Sequence, residues 1–147
     1  MNGERMRYKF LDHTADIEFI AYGRDDEELF SNALAALFET MADTAALSKS
    51  EGRKEKVTVK EKADSLEELL WYTLQHTLSI TESRRVFAYE VAEIKIREVE
   101  GKFYCELKAY AKEKKDEYSK LAAKGISKYG LKITKGEINE ARVVVDV

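Results

Sequence analysis

The chain has 147 residues, 36% of them charged, and its 25 Lys and Arg nearly balance 28 Asp and Glu to leave a formal net charge of -3. A chain of this size buries roughly 70% of the surface that its unfolded form exposes, so one domain over residues 1–147 is expected, with most of the charge solvated. The basic excess that counterion release from phosphates requires is missing, which argues against direct sequence-specific nucleic-acid binding while allowing a local basic patch, and no apolar run approaches the ~20 residues of a membrane span.

The opening "MNGERMRYKF" is charged rather than apolar, so no targeting leader is expected and the protein is read as cytoplasmic. Two strands are predicted next, "RYKFLD" and "DIEFIAYG", and between them Asp12, His13 and Asp16 fall within five positions. In "DDEELFSNALAALFETMAD" the residues Leu29, Phe30, Ala33, Leu34, Leu37, Phe38 and Met41 share one face of a 3.6-residue repeat, and Asp25 with Glu28 opens it like a capping box. "SKSEGRKEK" then reads as an exposed loop leading to the strand "EKVTVKEK". A second amphipathic helix, "DSLEELLWYTLQHTLSI", aligns Leu66, Leu69, Leu70, Thr73, Leu74, Thr77 and Leu78, with Ser65 and Glu68 at capping-box spacing. His76 stands between core positions of this helix and is read as structural; Phe30, Phe38, Trp71 and Tyr72 lie on or beside the apolar stripes and are read as core.

Strand signals then follow in a run: "VFAYEV", "AEIKIREVE" and "KFYCELKAYA". The last two meet at Glu100-Gly101, a tight-turn signal, and so form an antiparallel hairpin. Along it Phe103, Cys105, Leu107, Ala109 and Ala111 alternate with Lys102, Tyr104, Glu106, Lys108 and Tyr110, so one face covers a core. Cys105 is the only cysteine, which excludes an internal disulfide and suits a reducing compartment. "KEKKDEYSK" reads as a second exposed loop, and "ISKYGLKI" and "ARVVVDV" complete the strands. Strands gathered in runs, with no regular βαβ alternation, give the expected class: an α+β fold whose mainly antiparallel β-sheet packs with two amphipathic helices.

The carboxylates are the residues with chemistry to offer. Asp12 and Asp16 are close enough in sequence to share a hard cation if the chain turns between them, since calcium and magnesium take short, stiff oxygen ligands. The chain end adds Asp146, at a strand position where another apolar residue would continue "VVV", and Val147, whose α-carboxylate is a further oxygen ligand. Spacing alone leaves a second reading open, because Asp-x-x-x-Asp is also the pattern of an Asx-turn or helix cap. Two isolated histidines make no zinc signature, and GxGxxG, Walker, HExxH, CxxC and GxSxG motifs are all absent.

The stretch "YKFLDHTADIEFIAYG", the two helical segments and the ending "ARVVVDV" together resemble the archease family over nearly the whole chain. The Glu/Lys-rich, proline-free composition points to an archaeal member. The resemblance implies a non-catalytic accessory protein of the RtcB-type RNA ligase of tRNA splicing, one that promotes metal-dependent transfer of GMP onto the ligase and lets it turn over repeatedly. It also implies a divalent cation, calcium at rest with magnesium or manganese as candidates in function, held at Asp16, Asp146 and Val147 with Asp12 beside them. In "AAKGISKYGLKI" the chain departs from the family's usual pattern, at Lys124, Lys128 and Tyr129. Two other classes remain as alternatives: a metal-dependent phosphoesterase or nuclease that uses the same carboxylates, and a general chaperone, which would need a sizeable exposed apolar surface.

Overall fold

The structure, a computed structural model, describes residues 6–12 and 15–147. Its elements in chain order are β1 (Tyr8–Leu11), β2 (Ile17–Gly23), α1 (Asp26–Met41), α2 (Thr44–Lys49), β3 (Glu55–Ala63), α3 (Leu66–Ser83), β4 (Val86–Val99), β5 (Lys102–Glu113), a 3-10 turn (Asp116–Tyr118), β6 (Gly125–Ile126), β7 (Lys132–Thr134) and β8 (Asn139–Asp146). They form the expected α+β fold, with the strands in two antiparallel sheets. In one, β1, β2, β8 and β6 are neighbours in that order and β7 also pairs with β8; in the other β5 lies between β3 and β4.

Both long helices start where their caps predict. The Asp25 carboxylate accepts from the Glu28 N–H at 2.8 Å, and the Ser65 hydroxyl accepts from the Glu68 N–H at 3.1 Å, each satisfying a donor that the first helical turn leaves over. The apolar stripe of α1 lies against β2 and β4 and so bridges the two sheets, while α3 lies chiefly on β3. The main core contains Phe19, Phe30, Leu34, Leu74, Leu107, Val143 and Val145, all buried, and Ala42, Leu47, Phe87 and Tyr89 form a second, smaller cluster. At the β2–α1 junction the backbones touch: a Cβ on Gly23 would stand 2.3 Å from the Leu29 nitrogen, so only glycine fits. The β4–β5 hairpin turns through Glu100 (φ 52°) and Gly101 (φ 79°), the left-handed pair that a two-residue hairpin loop requires. Among the described residues no helix is long and apolar enough to cross a membrane.

Four expectations are corrected. "VFAYEV" and "AEIKIREVE" are one bent strand, β4, because no turn residue separates them and the register shifts at Tyr89 and Ala92 instead. "ISKYGLKI" is two short strands, β6 and β7, parted by a turn in which the Ser127 hydroxyl accepts from the Gly130 N–H at 3.1 Å. A third helix, α2, precedes the first charged stretch; at six residues it is too short for periodicity to reveal, and its signal is the Asp43 cap on the Ala46 N–H. In the second charged stretch, β5 runs on to Glu113 and Lys112 is buried at 5% exposure rather than solvated.

Candidate functional site

The pairing of β2 with β8 brings the two ends of the chain together. Its register runs from Gly23 opposite Asn139 to Ile17 opposite Val145, so Asp16, in the bend just before β2, and Asp146, the last residue of β8, lie at the same end of the pair. At this end of β8 the outer face carries Arg142 and Asp146, both exposed, while Val143 and Val145 are buried.

The neighbouring groups hold this end in position. Asp146 pairs on its other side with Gly125 of β6, and its carbonyl accepts from the Lys124 N–H at 2.7 Å. Val147 packs against the main core, which anchors the last residue. Next to Asp16 on the same face, Glu18 accepts from the Arg142 guanidinium, and that hydrogen bond holds the arginine further towards its charged form. Sequence reading passed over Glu18 and Arg142; the available signal was parity, since 16 and 18 share a face of one strand and 142 and 146 of the other.

Pairing treats Asp12 differently. Asp12 is exposed and follows β1, whose register with β2 ends at Leu11 opposite Glu18. His13, which stands between the two aspartates in sequence, lies outside the described residues. Among the described residues no three His, Cys, Asp or Glu side chains gather into a group that could hold a metal ion. The side chains of Asp16 and Asp146 offer hard oxygens, the donor type that calcium and magnesium take.

Other singled-out residues lie elsewhere. His76 is exposed, its Nδ1 3.1 Å from the Glu61 carboxylate of β3. Phe30 and Phe38 are core; Trp71 and Tyr72 are half-buried, and the Trp71 indole N–H donates to the Ile126 carbonyl at 2.8 Å. Lys128 sits 5.3 Å from the centre of the Trp71 ring, while Tyr129 is fully exposed.

The sequence profile of the Archease protein family (MTH1598/TM1083) matches residues 8–147. Protein archease of Methanosarcina barkeri is 34% identical over all of both chains, and that of Archaeoglobus fulgidus is 31% identical over 97% of this chain and all of its own. Among solved structures, Methanobacterium thermoautotrophicum protein 1598 superposes with a TM-score of 0.79 at 30% identity, over 96% of this chain and 99% of that one. The Thermotoga maritima structure described as an archease, possible chaperone, shares the fold with a TM-score of 0.59 at 18% identity, over 98% and 99% of the two chains.

Proposed function

We propose, since the chain belongs to the Archease protein family, that it is a non-catalytic activator of an RtcB-type RNA ligase in tRNA splicing. In this reading it promotes the ligase's metal-dependent guanylylation and its multiple turnover. GMP passes from GTP to a histidine of the ligase, pyrophosphate leaves, and the bonds made and broken are all the ligase's. What supports the reading is the family membership together with the position of Asp16 and Asp146 at one end of the β2–β8 pair.

A divalent ion bound there would supply positive charge at the triphosphate, where negative charge is redistributed during the transfer. Asp16 and Asp146 hold the ion, with Val147 beside them. The Glu18–Arg142 pair occupies a further carboxylate on β2. A site with few protein ligands binds reversibly, which is what handing an ion to a partner requires.

Single-turnover guanylylation of the partner ligase, with and without this protein in manganese, magnesium and calcium, tests the proposal. The expected result is faster guanylylation when the protein is present. Cleavage of RNA or of a phosphate ester by this protein alone would instead support the phosphoesterase reading.

A further inference from the structure

Away from the acidic end, a cavity of about 740 Å³ lies between the end of α3, the segment joining α2 to β3, and the adjoining ends of β4 and β5. Its walls carry six cationic side chains, Arg53, Arg84, Arg85, Lys112, Lys114 and Lys115, against three carboxylates. In a chain whose net charge is -3, this is a local reversal of sign. Among the described residues only one ion pair relieves it, Arg84 with Glu55 at 2.8 Å.

Two features raise this above a solvated surface. Lys112 is buried, and its ammonium donates to the Leu47 carbonyl at 2.7 Å and to the carbonyl and hydroxyl of Ser50 at 2.9 and 3.3 Å. Those oxygens replace its water but carry no charge, so the positive charge under the cavity is not neutralised. Arg85 has φ 55° directly after the α3 cap residue Arg84, the position where glycine is the unstrained choice. Its backbone ties α3 to β5, donating to the Glu82 carbonyl at 3.1 Å and accepting from the Lys114 N–H at 2.9 Å. An arginine held in a conformation that costs it energy, at the wall of a basic cavity, points to a use for its guanidinium.

We propose that this cavity binds a small phosphate-bearing anion, with Arg53, Arg85 and Lys115 as its direct ligands and Lys112 fixing the positive potential beneath it. The volume lies within the range of small-ligand sites, and guanidinium groups grip phosphate oxygens in pairs. The occupant is a compact ion rather than an RNA strand, because Glu51, Glu55 and Glu113 interrupt the basic lining that a continuous phosphodiester would need to follow.

Calorimetric titration of the full chain in EDTA, which removes divalent ions from the acidic end, with orthophosphate, tripolyphosphate, ATP and a 5′-hydroxyl single-stranded RNA, tests this. Saturable one-site binding is expected, at least tenfold tighter for tripolyphosphate or ATP than for orthophosphate and weaker as salt rises. Equal affinity for tripolyphosphate and ATP assigns recognition to the phosphates; tighter ATP binding assigns it to a nucleotide. Arg85→Gly should lower the affinity at least fivefold while raising the thermal midpoint, a combination that a purely structural arginine would not give. Lys115→Gln, at an exposed position, should lower affinity with the midpoint unchanged. No saturable binding, tighter binding of the RNA than of tripolyphosphate, or undiminished affinity in both variants would overturn the proposal.

Discussion

Asp146 is exposed at the last position of its strand, so its side chain contributes little to packing and its replacement isolates its chemistry. Asp146→Ala should change the unfolding free energy by no more than about 0.5 kcal/mol and weaken calcium binding at least tenfold, read by urea unfolding and by calorimetry respectively. Cys105 offers a test of a different kind. Burial in the β5 core face pushes its thiol up from 9.0 to about 11, with the Thr73 hydrogen bond drawing it back in part. A folded-state value above the unfolded one means stability that is fully present below pH 9 and lost as the pH rises towards 11, on the order of 2–3 kcal/mol. Unfolding midpoints in urea at pH 8 and 10.5 should differ by more in the native chain than in Cys105→Ala; equal differences would remove the thiol from the account. Tyr8, raised to about 12 by burial and by its hydrogen bond to Glu39, acts in the same sense, weakened by solvent. At this scale the sequence revealed residues whose neighbours are local in pattern, such as Cys105 on an alternating strand. Lys112 was hidden because a lysine in a Lys/Glu run has no periodic mark, and its burial is set by α2, which is distant in sequence.

Elements were legible where a period and a cap agreed. The stripes of α1 and α3 and the hairpin at Glu100-Gly101 needed only local rules, and the helices begin at the caps that those rules indicate. Ser65→Ala should therefore cost about 0.5–2 kcal/mol by removing the α3 cap, measured by equilibrium unfolding; an unchanged stability would show that the cap bond is not made. The helix α2 and the split of β6 from β7 stayed hidden because both are short, and a handful of residues carries too little pattern to separate helix, strand and turn. Gly23 tests the junction of β2 with α1. Gly23→Ala would press a methyl into the Leu29 backbone, which has no rotamer by which to yield, so a loss of about 1–3 kcal/mol or more is expected. A thermal midpoint equal to that of the native chain would contradict the close contact.

For the whole molecule the informative fact is the pairing of β2 with β8. Residues 16 and 146 are separated by most of the chain, and no local pattern in either segment says that they meet. Family resemblance supplied that link in the sequence reading, and the β2–β8 register brings both segments to the same end of the sheet. The two sheets share one core through α1, so the end of β8 that carries Asp146 is held by the global fold. In the function proposed above, this end, and not the fold in general, activates the partner ligase. Single-turnover guanylylation of the RtcB-type ligase is to be compared for native protein, Asp16→Ala and Asp146→Ala. Both variants should keep the native thermal midpoint and lose stimulation; full stimulation by either one would rule out the acidic end as the activating element.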